Sequence, residues 1–180
     1  MIITVGPGDG TLSLHTGRAG AVSKAGHDLT LQISQWTATA TMSESGELRH
    51  LRVVALVGSL QVIRGEGGLK PLSDADRATI LSNAQSTMKA AKHPEVVFET
   101  EGVVQDPATA RLSGHITIAG MSRPLAVDVA HERAGDHIRA RATAAITQSE
   151  FGIRPYSAML GALRVRDMVE IRADLTVPTG

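Results

Sequence analysis

Few side chains in this sequence are placed to do chemistry, and the first pair to weigh is His27-Asp28, directly after Gly26. A carboxylate beside an imidazole can orient the ring, which is how a general base is assembled. Adjacent residues on a strand point to opposite faces, however, so these two side chains do not share a site. No G-x-S-x-G step supplies a nucleophile for such a base to serve. His27 therefore reads as a structural histidine that hydrogen-bonds a strand end. The histidines at 15, 27, 50, 93, 115, 131 and 137 never fall at H-x-x-x-H spacing, and His115 and His137 lie on an outward parity. With no cysteine in the chain, disulfides, thiolate metal sites and a cysteine nucleophile are excluded. The Gly65-Glu66-Gly67-Gly68 segment carries an acid and lacks a following lysine-serine, so it is no phosphate cradle. On these grounds no catalytic residue, no metal site and no cofactor are expected.

The overall charge points the same way. Lysine plus arginine equals aspartate plus glutamate at 18 each. The halves balance too: residues 1–90 carry 8 basic and 7 acidic groups, and residues 91–180 carry 10 and 11. Nothing in this balance announces a nucleic-acid partner or an electrostatic membrane anchor. The start, Met1-Ile2-Ile3-Thr4-Val5, lacks a basic n-region and a long apolar run, and no window nears the roughly 20 apolar residues of a membrane helix. A soluble, cytoplasmic protein without stable membrane insertion is the expectation. A length of 180 residues suits one domain with a sizeable core.

The elements that must position any site are mostly strands. Leu112–Val129 sets the pattern: Leu112, Gly114, Ile116 and Ile118 share one parity, then Leu125, Val127 and Val129 resume it after the turn-like Gly120–Pro124. Pro124 has no N–H, which places it at a strand start. Thr11–Thr16 alternates likewise, and Gly17–His27 reads as a loop or bent segment. In Asp28–Met42 the apolar parity changes between Ile33 and Trp36, which requires a bulge or bend near Ser34-Gln35. Leu51–Ile63 is apolar on both faces. The period then changes: Ser73 offers an N-cap with acids in the first turn, and apolar residues at helical spacing predict a helix over about 74–92, ended by Pro94. Strands follow over Glu95–Val104, the Leu112–Val129 hairpin, His137–Thr147 and Asp167–Val177.

The chain is thus mainly β: about eight sequential antiparallel strands with one inserted helix. Closing such a meander into a barrel removes its edges. Eight strands enclose either a packed core or one small ligand. Parity places Leu31, Ile33, Trp36, Phe98, Ile116, Ile118, Leu125, Val127, Ile138, Ala140, Ala142, Ala144 and Ile146 on the inner face. The small residues Ala140, Ala142 and Ala144, with Gly102 and Gly114, suggest unfilled space inside. Close packing against the helix is the alternative for the same residues.

The order of features resembles the YceI-like family, whose known members bind polyisoprenoid lipids inside a lipocalin-like barrel. The resemblance spans about Gly10 to Val177. PEVVFETEGV at 94–103 resembles the family's P-x-x-x-F step after a helix. GHITIAGMSRPLAVDV at 114–129 resembles its G-x-L-T-I-x-G-x-x-x-P-L hairpin, with Ile116 in place of leucine. QSEFGI at 148–153 with RDMVEIRADL at 166–175 resembles its D-F-G…D-x-V-x-I closure. The resemblance implies a single domain over 1–180, an eight-stranded lipocalin-like barrel, and non-catalytic binding or carriage of an isoprenoid-type, quinone-like or other long-chain apolar lipid in the lumen. A filled-core barrel serving as a structural or protein-interaction module stands as the alternative, with a hydrolase behind it. A homodimer is left open. The connection 148–163 is far longer than the two to five residues of a hairpin loop. Phe151, Arg154, Tyr156, Met159 and Leu160 are therefore expected to rim the ligand tunnel, or else to plug one end of the barrel.

Overall fold

The computed structural model describes residues 1–178. Twelve antiparallel strands form one curled sheet: β1 (Ile2–Val5), β2 (Gly10–Ala19), β3 (His27–Ile33), β4 (Trp36–Met42), β5 (Leu48–Leu56), β6 (Leu60–Gly67), β7 (Glu95–Gln105), β8 (Thr109–Ile118), β9 (Met121–Ala134), β10 (His137–Thr147), β11 (Ser157–Ala158) and β12 (Leu163–Pro178). One α-helix, α1 (Asp74–Thr87), stands between β6 and β7. Along the sheet the strands run β1-β4-β5-β7-β8-β9-β10-β12-β2-β3-β6, with β11 paired only to β12. β2 lies beside β12, with Leu14 opposite Ile171, so the second strand and the twelfth are neighbours.

Eight runs are expected from the sequence and twelve strands are found, because bends divide two of the runs and because β1 and β11 lie outside all of them. Gly6–Asp9 separates β1 from β2, Ser34-Gln35 separates β3 from β4, and a 3-10 turn over Val57–Ser59 separates β5 from β6. The last two bends lie side by side and satisfy each other. Ser34 donates its N–H to Ser59 O at 3.2 Å, Gln35 donates its N–H to Ser59 Oγ at 3.0 Å, and Leu56 donates its N–H to Gln35 O at 3.0 Å. The parity change at Ser34-Gln35 is this bend. The extreme N-terminus, weighed in sequence only against a leader, pairs with β4 as β1. Residues 148–163, expected without strand character, contain two 3-10 turns and β11.

The Leu112–Val129 hairpin turns earlier than its sequence suggests. Ala119 and Gly120 both take positive φ, 51° and 80°, so they alone make the turn, with the twist that matches flanking strands. Pro124 is consequently inside β9, opposite His115. β10 pairs with β9 only from Asp128 onward, so β9 has an unpaired edge at Pro124, where a missing donor is tolerated.

Gly114 does not mark empty space either. A Cβ there would sit 2.1 Å from Glu99 O of β7, and one on Gly102 would sit 2.9 Å from Ser113 Oγ. Both flank the irregularity in the β7–β8 pairing, where the backbones approach closely.

α1 starts as its sequence requires. Ser73 Oγ accepts the Asp76 N–H at 3.1 Å, and the Asp76 carboxylate accepts the Ser73 N–H at 3.0 Å. It ends at Thr87 rather than Lys92, because Lys89 takes a left-handed φ of 55° that no helix can continue through. The core has two parts: Phe98, Leu112, Ile116 and Ile118 pack with Phe151 and Ile153, while Leu31, Ile33, Trp36, Ala55, Val57 and Leu60 pack towards Ile80, Ala84 and Met88 of the helix region.

Candidate functional site: an apolar lumen with one polar mouth

The curled sheet and α1 enclose a cavity of about 940 Å³. That is near the upper end of the range of about 300–1,000 Å³ typical of small-molecule sites. All thirteen residues placed inward by parity line it: Leu31, Ile33 and Trp36 before and after the β3–β4 bend, Phe98 of β7, Ile116 and Ile118 of β8, Leu125 and Val127 of β9, and Ile138, Ala140, Ala142, Ala144 and Ile146 of β10. β2 and β12 contribute Leu12, Leu14, Ile171, Ala173 and Leu175, whose alternation is equally plain in sequence, and α1 contributes Ile80 and Ala84.

The inward residues differ in burial, and the difference locates the space. Phe98, Leu112, Ile116 and Ile118 are covered by other side chains. Leu12, Leu14, Leu125, Val127, Ala140, Ala142, Ala144 and Ala173 point inward yet remain only half-buried. A group that faces inward without being covered borders a hollow. The β2–β12–β10–β9 wall is therefore lined but unfilled.

Polar lining groups collect at one end. Thr16, Arg18, His27, Lys70, Asp76 and Arg164 line the cavity where β2 and β6 end and β3 and β12 begin. The opposite end is lined by Ile3, Met42, Leu48 and Val177. The mouth is assembled by hydrogen bonds between glycine-rich segments that carry no regular period in sequence. Arg18 donates Nη1–H to Gly26 O at 2.7 Å and its backbone N–H to Asp28 Oδ1 at 2.8 Å, with Nε 3.6 Å from Asp28 Oδ2. His27 donates Nε2–H to Lys70 O at 2.9 Å, which fixes the tautomer and ties the start of β3 to the connection before α1. Gly67 and Gly68, at positive φ, admit the Arg18 guanidinium and the His27 ring, which a Cβ would strike at 1.9 and 2.3 Å.

His27 and Asp28 thus make separate bonds, His27 to Lys70 and Asp28 to Arg18, and form no acid/base pair. His115 lies outside against Glu101 at 2.9 Å, and His137 against Asp136 at 2.5 Å. Among the described residues no group of three histidine or acidic side chains is arranged to hold a metal ion. The hydrogen bonds from Ser73 hold the Asp76 carboxyl below its ordinary range, so it is ionised at the mouth. Two buried polar atoms on lining residues have no hydrogen-bond partner among the described residues: Thr16 Oγ1 and Trp36 Nε1.

The structure divides the 148–163 group. Tyr156 lines the cavity beside Leu163 and Arg164. Phe151 is only 3% exposed and packs in the core with Phe98 and Ile118, so it belongs to the filled side and not to a rim. Arg154, Met159 and Leu160 are exposed and do not line the cavity. Arg18, Lys70 and Arg164, which sequence reasoning did not single out, occupy the mouth instead. Their only signal was the glycine-rich stretches around them.

The sequence profile of the YceI-like domain matches residues 13–177. The fold is similar to that of BcnA from Burkholderia cenocepacia, with a TM-score of 0.72 at 13% identity, covering 96% of this chain and 99% of that one. It is also similar to the YCEI protein of Campylobacter jejuni, with a TM-score of 0.64 at 16% identity, covering 82% and 83%. No curated protein matches the chain. Among the described residues no helix is long and apolar enough to cross a membrane.

Proposed function

This chain belongs to the YceI-like domain family, and from that premise we propose that it binds and carries a long-chain apolar lipid, of isoprenoid or quinone-like type, in its lumen. The observation that supports this reading is the half-buried inner wall: aliphatic side chains border a cavity of about 940 Å³ without filling it. Counted across the bends, β1–β2, β3–β4 and β5–β6 act as single runs, so the sheet works as an eight-run barrel around its ligand.

Binding in such a tube needs few polar contacts. Each buried CH₂ contributes roughly 0.8 kcal/mol, so a five-carbon prenyl unit offers about 4 kcal/mol before the cost of ordering it. The chain of the ligand lies against the β9, β10, β12 and β2 wall, and its polar head sits at the Arg18–Lys70–Arg164 mouth. A filled-core interaction module has no use for a hollow of this size. Protein purified without detergent is to be extracted with organic solvent and the extract analysed by mass spectrometry. A long-chain lipid recovered in near-stoichiometric amount supports the reading, while an extract empty of amphiphiles, together with no uptake of added prenyl lipid, refutes it.

A further inference from the structure

We propose that the end of the sheet bearing the mouth is a docking surface for anionic lipid bilayers, with Met159 and Leu160 as an apolar tip that enters the headgroup layer. Three observations converge on it. Charge is the first. The chain has four lysines, Lys24, Lys70, Lys89 and Lys92, and all four lie in the connections at this end: β2–β3, β6–α1 and α1–β7. Arg154 joins them in the connection before β11, where Glu150 is the one acid. Among the described residues the four lysines make no ion pair, whereas most acids on the strands are matched by arginine or histidine. At the opposite end the connections Gly6–Asp9, 43–47, 106–108 and 135–136 carry Asp9, Glu44, Glu47, Asp106 and Asp136 and no lysine or arginine. α1 adds Asp74, Asp76 and Arg77 at the basic end, with Asp76 folded back into the helix cap. A net-neutral chain is thus basic at the mouth and acidic at the far end.

Exposure is the second observation. Leu160 is fully exposed, Met159 is 65% exposed and Leu69 is 85% exposed. Met159 and Leu160 hold positive φ of 51° and 55°, a conformation unfavourable for such side chains, and it turns both away from the sheet. Continuity with the site is the third. The tip joins β11 to β12, and the bases of that hairpin, Tyr156 and Leu163 with Arg164, line the cavity mouth. Val22 donates its N–H to Ala162 O at 3.0 Å, locking the Lys24 turn against the same hairpin.

A bilayer suits this surface better than a protein partner does. The apolar groups protrude from separate loops and form no groove or flat patch, and a lipid layer receives protrusions without a complementary pocket. Cations outnumber acids in the surrounding connections, as an anionic headgroup layer requires. Docking goes beyond lumen binding and is read without reference to what the lumen holds, so the two proposals fail separately.

Flotation with phosphatidylcholine vesicles, with and without phosphatidylglycerol, tests it. The protein should float with the anionic vesicles only, and less so at high salt. Lys24→Ala with Lys92→Ala should weaken binding about 25-fold, taking about fivefold per lysine near the surface. Leu160→Ser should weaken it about tenfold or more. Val104→Ser, which removes an exposed apolar group towards the acidic end, should change nothing. The proposal is overturned by absent flotation, by equal flotation with both lipid compositions, or by a Val104→Ser loss matching that of Leu160→Ser. It is equally overturned if sedimentation shows a dimer that Leu160→Ser converts to monomer, since the tip would then bind a second copy of the chain.

Discussion

Ala142 of β10 stands opposite Ala173 of β12, and both line the cavity. Ala140 and Ala144 flank Ala142 on the same face, so this part of the wall has methyl groups where other strands carry leucine or isoleucine. The width of the lumen is set here, by what is missing from the side chains.

Ala142→Phe is therefore predicted to occupy the lumen and to weaken binding of a fluorescent prenyl lipid at least about tenfold, or about 1.4 kcal/mol. The space is already empty, so the ring needs no rearrangement of the wall and the melting midpoint should be nearly that of the parent. Arg154→Ala, outside the cavity, should bind as the parent does. Parent-like binding by Ala142→Phe would place the ligand elsewhere.

Trp36 is the sole tryptophan and is buried on the lumen wall, but its Nε1–H has no partner among the described residues. An unsatisfied buried donor costs about 1–3 kcal/mol. Trp36→Phe removes that donor while keeping an aromatic ring, so the two effects oppose, and urea unfolding should show a net change within about 1 kcal/mol. Trp36→Ala should cost about 3–5 kcal/mol. Equal losses for the two variants would mean that the ring's size or its N–H matters in a way this geometry does not account for.

Gly114→Ala should be among the most damaging single-methyl additions in the chain. The new Cβ meets the Glu99 carbonyl at 2.1 Å, and a paired backbone oxygen cannot swing aside as a flexible side chain does. A loss of about 3 kcal/mol is expected in denaturant unfolding, at the upper end for overpacking. Gly58→Ala, with open space around its position, is the comparison variant and should cost far less.

Asp76 titrates below the ordinary aspartate value because the Ser73 hydroxyl and backbone N–H bond to its carboxylate. A depressed folded-state pKa means that the contribution of the cap is fully present above the unfolded-state value. It is lost as pH falls through the lowered one. Ser73→Ala should move the Asp76 titration upward, as followed by NMR of the side-chain carboxyl. It should also flatten the acid-side pH dependence of α1 stability. An unmoved titration would show that the cap does not control this carboxyl.

The inner wall could be read from the sequence because a strand has a period of two, and a lumen wall needs only that every second residue be apolar. Ala140, Ala142 and Ala144 announce themselves this way, and even the bend at Ser34-Gln35 shows as a change of parity. The mouth could not be read, because Arg18, His27 and Lys70 come from glycine-rich segments without a period and meet only through contacts such as His27 to Lys70. The end of α1 was hidden for a related reason: Lys89 is an ordinary helix former that happens to adopt a left-handed φ. Gly114 misled because a small residue signals either room or crowding, and only the position of the Glu99 oxygen tells which. The separation of charge by ends was invisible in the two halves of the sequence, since antiparallel strands deliver successive connections to alternate ends. Each half therefore samples both.

The pairing of β2 with β12 joins residues some 150 positions apart in the chain, while β8 and β9 are joined only to sequential neighbours. Contacts of high sequence separation form late, because the loop-closure entropy must be overcome before they contribute. On a ribosome, Leu12 and Leu14 are made early, but their partners Ala173 and Ile171 emerge only after β3 to β11 have been made. For most of synthesis the lumen is thus an open apolar trough, exposed along the seam that only the final strand can close. A chain stalled or truncated before β12 would present that trough to its neighbours. Whether the trough is covered or exposed is decided by β12.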